Sequence, residues 1–286
     1  MKNYKQFIDE GPNDPAIFKA IFLAGGPGSG KSFMVGNTSL TSHGFKVVNS
    51  DDIFEKAMVK AGVTMDAEGI FSAQGQALRD KAKKITGARM ERWIEGRLGL
   101  VIDGTGKDEA KIKSQAEKLK SIGYEVAMIF VNTDLDTAIK RNDLRPRSLP
   151  TPTVVTMWKS VQKNIGRFQG LFKSNMLILD NSQGEDFQSA IRVGYKFGKA
   201  FAEKRVAHAK AIKWLASFKE GMIEATLAST HAAVLDALWT DVKKKLETDL
   251  RRGGNLKDLD DIAKLVNKRI ELDTKHKGYS RLKKRK

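Results

Sequence analysis

The sequence predicts a three-layer α/β fold, in which helices cover both faces of a parallel five-stranded sheet, followed by a C-terminal α-helical extension. Two observations lead to this prediction. Over residues 17–204, short apolar runs alternate with longer amphipathic stretches, which is typical of parallel strands joined by crossover helices. After residue 204 the strand-like runs stop and only helical periodicity continues.

The elements follow one another at the lengths expected of βαβ units. The predicted strands are the apolar runs 18–24, 46–49, 98–103, 124–131 and 176–180. Helices are predicted at about residues 31–40, 52–61, 74–96, 107–122, 134–142, 153–172 and 187–201. The chain is thus divided into a leader (1–16), an α/β domain (17–204), a helical extension (205–274) and a basic tail (275–286).

The composition excludes several classes of protein. With 286 residues, of which 41% are hydrophobic and 30% charged, the chain is neither fully disordered nor fibrous. It has no cysteine, which excludes disulfides, thiolate metal sites and cysteine nucleophiles. Its longest clean apolar run, residues 126–131, is far shorter than the roughly 20 residues of a membrane-spanning helix. The 51 basic residues exceed the 34 acidic ones by 17, which predicts an anionic partner such as nucleic acid, nucleotide or another phosphorylated molecule.

A phosphate-binding loop (P-loop) follows the first predicted strand. The P-loop pattern is a glycine, any four residues and then Gly-Lys-Ser. The chain matches it in full with Gly25, Gly26, Pro27, Gly28, Ser29, Gly30, Lys31 and Ser32. The glycines let backbone N–H groups curl around a phosphate. Lys31 is predicted to neutralise the β- and γ-phosphates, and Ser32 to ligate Mg²⁺. A glycine-rich turn with an incidental lysine is the alternative, but nucleotide binding is the better interpretation.

Polar residues follow the other strands at the sheet edge where ligands of α/β proteins bind. Asp51 is predicted to be the base that accepts a proton from an attacking hydroxyl. Asp52 is predicted to be the helix cap or a first-turn acid near the substrate. Asp103 is interpreted as holding Mg²⁺ through water, as orienting the acceptor or as a turn residue, and Thr105 belongs to the same strand tip at the substrate site.

Arginines at the end of the fifth predicted helix suggest a lid. Arg141, Arg145 and, less strongly, Arg147 are predicted to close over ATP and to stabilise charge on the transferred phosphate. A solvated basic helix end is the alternative. The chain has no Asn-Lys-x-Asp guanine-reading motif, which favours ATP over GTP.

These motifs, in this order, resemble the phage polynucleotide 5′-hydroxyl kinases and the zeta-toxin kinases. The resemblance covers about residues 17–201 and rests on the P-loop, the two strand tips, and Lys140-Arg141-Asn142 with Met157-Trp158-Lys159-Ser160. It implies a P-loop kinase fold and an ATP- and Mg²⁺-dependent kinase, with Asp51 as base, Asp103 positioning the acceptor, and Arg141 and Arg145 in the lid.

The resemblance leaves the acceptor open. Polynucleotide kinases have an arginine shortly after the paired acids, and the matching position here is Phe54, closer to the aromatic-containing stretch of zeta-type kinases. A polynucleotide 5′-hydroxyl is the first expectation and a nucleotide sugar the second. A packaged, DNA-associated protein with a nucleotide-binding but non-catalytic P-loop domain is the third.

The two ends of the chain suggest further contacts. Residues 1–10, followed by Gly11, resemble capsid-targeting leaders of T-even-like phages, which implies cleavage after Glu10 and packaging in a virion; otherwise the host cytoplasm is expected. After Phe201 the chain has 21 basic and 12 acidic residues, a net charge of +9. This excess is interpreted as a non-specific contact with nucleic acid or as a solvated helix face with a basic tail. No membrane contact is expected.

Overall fold

The computed structural model describes residues 13–144, 148–182 and 187–218, together with Thr240, Asp241, Lys244 and Thr248. The chain divides into two compact units, Met1–Leu215 and Ala216–Lys286. Most of the predicted leader, most of the helical extension and the whole basic tail lie outside the described residues; the four described positions in the 240s are helical. Within the described part of the chain, no helix is both long enough and apolar enough to cross a membrane.

The first unit is built from strands that alternate with helices. The strands are β1 (Lys19–Ala24), β2 (Lys46–Val48), β3 (Leu100–Asp103), β4 (Glu125–Asn132) and β5 (Met176–Asp180). The helices are α1 (Lys31–Asn37), α2 (Asp51–Lys60), α3 (Ala67–Phe71), α4 (Ala73–Glu95), α5 (Glu109–Ser121), α6 (Leu135–Asp143), α7 (Thr151–Phe172) and α8 (Phe187–Glu203). Short 3₁₀ turns occupy Leu40–His43 and Lys173–Asn175, and residues 209–218 are also helical.

The strands form one sheet with the order β2-β3-β1-β4-β5, and every pair is parallel. Successive residues of β1 face opposite sides, as the pleat requires. Phe22 shares a core cluster with Ile112 of α5 and Phe168 of α7, whereas Ile21 shares a second cluster with Phe201 of α8. Helices therefore cover both faces of a parallel five-stranded sheet, which confirms the predicted three-layer α/β fold.

A third, smaller core lies among α2, α3 and α4. Phe54, Ile70 and Ala82, one from each helix, are all buried there. Asp66 begins α3, since its carboxylate accepts a 2.8 Å hydrogen bond from the Gly69 N–H, and this bond lowers the pKa of Asp66. The sequence predicted two helices here, at residues 52–61 and 74–96, and α3 is an additional element between them.

Left-handed backbone positions account for two of the shifted element boundaries. Helix α1 ends at Asn37 rather than near residue 40, because Ser39 has a φ of 51°. Strand β1 begins at Lys19, one residue later than predicted, because Phe18 has a φ of 57°. Strands β3 and β4 begin two residues and one residue later than predicted.

The segment after α8 packs against the amino-terminal edge of the sheet. Ala211 is fully buried, and the Trp214 ring lies edge-on to Phe18 with 5.5 Å between centroids. The guanidinium of Arg97 lies 5.9 Å from the centre of the same indole. The first compact unit therefore extends past residue 204 and ends at Leu215.

Candidate phosphate-binding site

The P-loop, residues 25–32, connects β1 at the centre of the sheet to α1. Gly28 and Gly30 have φ angles of 73° and 80°, which residues with a Cβ rarely adopt. A Cβ at Gly28 would collide with the backbone of Ala138, and one at Gly30 would collide with the amide of Asn181. The loop is thus packed closely against α6 and the end of β5, in a conformation that requires glycine at both positions.

Neighbouring strand ends hold the P-loop on both sides. The Gly25 N–H donates to the Thr105 carbonyl after β3 at 3.2 Å. After β5, the buried Asn181 side chain donates from Nδ2 to the Ser29 carbonyl at 2.7 Å, and its own N–H donates to the Asn132 carbonyl at 2.9 Å. Sequence reasoning missed Asn181: its place directly after a predicted strand indicates the ligand edge of the sheet, but not its contact with Ser29, 152 positions away.

Lys31 and Asp103 meet at the start of α1. The Lys31 ammonium donates to Asp103 Oδ1, and both side chains are almost enclosed, with 13% and 11% of their surface exposed. Asn49 Nδ2 donates to the other carboxylate oxygen of Asp103 at 2.9 Å. The predicted P-loop lysine and the predicted third-strand acid are therefore brought together, and Asp103 is fixed from two sides.

Asn49 extends this network to the second strand tip. Its Oδ1 accepts a 2.7 Å hydrogen bond from the backbone N–H of Asp51, the first residue of α2. Asp51 and Asp52 both lie exposed in the first turn, and Ser50 occupies the N-cap position without a side-chain cap bond. Asp52 is therefore a first-turn acid and not the cap. Asn49 was not among the predicted site residues.

Phe54, which matches the arginine of polynucleotide kinases, points away from solvent. Its ring is 1% exposed and packs in the small core of α2, α3 and α4. The Arg79 guanidinium of α4 lies 5.2 Å from the centre of the Phe54 ring. Since Phe54 comes three residues after Asp51, both lie on the same side of α2. A cation of α4 therefore packs on the residue that stands in the place of the arginine.

Arg141 lies beside the P-loop on α6. It donates a 2.7 Å hydrogen bond to the Asn181 carbonyl, and a Cβ at Gly30 would lie 3.8 Å from its Nη1. This bond anchors a residue that was predicted to belong to a lid. Arg145 and Arg147 lie outside the described residues. Thr105 is exposed, and it supports Gly25 through its backbone carbonyl.

The donor atoms present fit Mg²⁺ that arrives with a nucleotide. No three His, Asp or Glu side chains gather as a metal cluster within the described residues. Ser32 is exposed in the first turn of α1. Asp103 is bonded to Lys31, the residue that precedes Ser32. One hydroxyl and one nearby carboxylate suffice for Mg²⁺, because this ion takes most of its ligands from phosphates and water.

The Trp158 side chain of α7 borders the same loop. Its indole N–H donates to the Thr133 carbonyl at 2.8 Å, and the ring lies 4.0 Å from where a Cβ on Gly26 would be. The P-loop is thus enclosed by α6 and α7 as well as by the strand ends. Trp158, which belongs to the Met157–Ser160 motif of the family resemblance, therefore forms a wall of the site.

Comparison with solved structures finds similar folds at low identity. A chain of the Pnkp1/Rnl/Hen1 RNA repair complex is 18% identical, with a TM-score of 0.42 over 53% of this chain and 46% of that one. A chain of the PezAT toxin–antitoxin system of Streptococcus pneumoniae is 17% identical, with a TM-score of 0.41 over 65% and 87%. Shikimate kinase of Aquifex aeolicus is 15% identical, with a TM-score of 0.38 over 61% and 92%.

Comparison by sequence gives a family. No curated protein matches the chain. The family model AAA_33, described as an AAA domain, matches residues 21–163, which is half of the chain and includes the P-loop, both acidic strand tips and Trp158. With its P-loop kinase-like α/β fold, the chain belongs to the AAA_33 family of AAA domains.

Proposed function

We propose that the protein is an ATP- and Mg²⁺-dependent kinase that transfers the γ-phosphate to a hydroxyl acceptor. The observation that carries this proposal is the hydrogen-bonded chain from Lys31 through Asp103 and Asn49 to the backbone of Asp51. It links the phosphate-binding lysine to the candidate base across the carboxyl ends of three neighbouring strands. A loop that merely bound nucleotide would not need an acid at the second strand tip.

The residues divide the chemistry as follows. The acceptor oxygen forms a bond to the γ-phosphorus while the bond from that phosphorus to the β-bridging oxygen breaks, and ADP leaves. Asp51 accepts the proton of the acceptor hydroxyl. Lys31 turns from Asp103 toward the phosphates, and Arg141 and Arg145 neutralise charge on the transferred group. Ser32 and Asp103 would hold Mg²⁺, which would supply further charge neutralisation at the phosphates.

An anionic acceptor suits the surroundings of Asp51. Arg79 lies over Phe54, one helical turn from the acid pair, and Asp52 and Thr105 are exposed toward solvent at the same edge. A polynucleotide 5′-hydroxyl carries a phosphate next to the reacting sugar, and we take it as the acceptor. A nucleotide sugar also carries phosphates and is the second candidate.

One experiment separates these acceptors. The protein is incubated with γ-labelled ATP and, in parallel, 5′-hydroxyl DNA, 5′-hydroxyl RNA or UDP-N-acetylglucosamine. We expect label on a polynucleotide. Label on the nucleotide sugar alone would contradict the polynucleotide as acceptor and support the nucleotide sugar instead. ATP binding without transfer to any acceptor would contradict the proposal that the protein is a kinase. It would favour the third expectation, a packaged, DNA-associated protein that binds nucleotide without catalysis.

Lys31→Ala tests the P-loop directly. The change removes the cation that faces the phosphates, so we expect loss of label transfer to background. The control is Lys111→Ala, which removes an exposed lysine from α5 and changes the net charge by the same amount. Transfer by Lys31→Ala at the wild-type rate would remove the P-loop from the mechanism.

A further inference from the structure

Two open cavities lie along the seam between α5 and α7. The upper one, about 440 Å³, is lined by Lys107, Asp108, Glu109, Ser160, Asn164 and Arg167. The lower one, about 380 Å³, is lined by residues that include Lys120, Leu171, Lys173, Asn175 and Lys204. Arg167 and Leu171 are one helical turn apart, so the two cavities follow each other along α7. We call this surface the α5–α7 groove.

Basic side chains line both walls of the groove. Helix α7 has no acidic residue in its 22 positions. Lys163 comes three residues after Ser160 and four before Arg167, which places it on the same helix face. On α5, Lys113 comes four residues after Glu109 and seven before Lys120, so it lies on the side of α5 that faces α7.

The acids that line the two cavities are already engaged, and Glu117, four residues after Lys113, adds one further acid to this side of α5. Asp108 caps α5 by accepting a 3.0 Å hydrogen bond from the Lys111 N–H, and Glu109 lies 3.8 Å from the Arg167 guanidinium. At the lower end, Glu125 contacts Lys204 at 3.3 Å. No ion pair within the described residues involves the remaining cations, Lys107, Lys113, Lys120, Lys163 and Lys173. The groove therefore keeps a positive charge that the protein itself does not neutralise.

We propose that the α5–α7 groove binds the phosphate backbone of a single-stranded nucleic acid. From Ser160 to Lys173 it is about 20 Å long at 1.5 Å per helical residue, with unpaired cations on both sides. An open groove with cations along its length fits a chain of phosphates, whose charges are likewise spaced along a line. At its upper end, Lys107 comes two residues after Thr105, whose carbonyl holds the P-loop.

The groove proposal does not depend on catalysis, and its test needs no ATP. Full-length protein is titrated into a fluorescently labelled single-stranded oligonucleotide, and anisotropy is followed at several salt concentrations. The groove variant is Lys113→Gln with Lys163→Gln, two exposed lysines. The control is Lys84→Gln with Lys111→Gln, which has the same charge change on α4 and on the far side of α5.

Loss of two phosphate contacts lowers the slope of log K against log salt by about 1.4, which is about 25-fold in affinity near 0.1 M salt. The control should lose little affinity for the oligonucleotide, since screening by salt limits the effect of a charge to about 10 Å. Equal losses in both variants would show non-specific charge attraction and overturn the proposal, as would unchanged binding by the groove variant. Groove-dependent binding of phosphatidylserine vesicles without oligonucleotide binding would overturn it in favour of a membrane surface. Matching thermal melting curves verify that both variants fold.

Discussion

Asp51 and Asp52 are adjacent in the first turn of α2, but their environments differ. Only Asp51 is tied to Asn49, and through it to Asp103 and Lys31. We expect Asp51→Asn to retain ATP binding and to lower the rate of phosphoryl transfer by at least about 10²-fold, the usual contribution of a positioned base. Asp52→Asn is the matched control, because it makes the same change one residue away. Rapid-quench kinetics measure the rate of phosphoryl transfer by both variants, and titration measures their affinity for ATP. A larger loss of rate in Asp52→Asn would show that Asp52, and not Asp51, is the base.

Asn181 is predicted to position the P-loop. Its buried amide donates to Ser29, so Asn181→Ala leaves that carbonyl without its partner and frees the loop. We expect ATP affinity to fall by about tenfold, the equivalent of a buried hydrogen bond of about 1.4 kcal/mol. Asn175→Ala is the control, since Asn175 makes a similar bond, to the Val126 carbonyl at 3.2 Å, at the opposite edge of the sheet. Equal affinities of the two variants for ATP would contradict this role.

The contrast between Lys31 and Asn181 shows which site residues the sequence could predict. Lys31 belongs to a local motif whose residue types and spacing follow from phosphate binding. Asn181 lies 152 positions from its partner Ser29, and its role depends on the placement of β5 beside β4. Asn49 likewise acquires its role only when β2 is paired with β3. Such residues are found from strand order, which the periodicity of a single sequence does not give.

Among the elements, β1 and β4 share a buried ion pair at the amino-terminal edge of the sheet. Lys19 is 1% exposed, and its ammonium lies 3.1 Å from Glu125. Burial lowers the pKa of Lys19 in spite of the opposing attraction to Glu125. Glu125→Gln leaves this lysine buried without an anion, so we expect destabilisation of about 3 kcal/mol, or about 6–12 °C in Tm.

Adding Lys19→Met to Glu125→Gln should restore most of that stability, because the pair is then replaced by uncharged groups. The exposed pair Lys118 and Glu91, also 3.1 Å apart, is the control, and Glu91→Gln should cost less than about 1 kcal/mol. Thermal denaturation measures all four proteins. A double variant that melts no higher than Glu125→Gln would show that the loss comes from packing and not from charge.

The strands and long helices could be predicted because their hydrophobic periods extend over many residues. Helix α3 could not, since it has five residues and depends on the Asp66 cap and on Ile70 entering the core of α2 and α4. The end of α1 at Asn37 depends on the left-handed Ser39, a residue that gives no such signal in a sequence.

The net charge of +17 is distributed over separate regions of the molecule. Lys31 and Arg141 lie at the candidate phosphate site, and the α5–α7 groove carries further cations on the described unit. The +9 that follows Phe201 lies mostly outside the described residues. Only the first group is needed for the proposed chemistry, so activity on a small acceptor and affinity for nucleic acid should respond to different substitutions.

The boundary of the first unit gives the prediction for the whole chain. A protein that ends after residue 204 lacks Ala211 and Trp214, so that Phe18 keeps only Tyr124 of its two aromatic partners, whereas one that ends after residue 218 keeps all these contacts. We expect the shorter protein to be less stable by about 2 kcal/mol, below the usual cost of removing a fully buried tryptophan because Trp214 is half-buried, or about 4–8 °C in Tm. Trp214→Ala in the 1–218 protein is the matched control and should account for most of the difference. Equal melting temperatures for the 1–204 and 1–218 proteins would place the end of the folded unit before Ala211 instead.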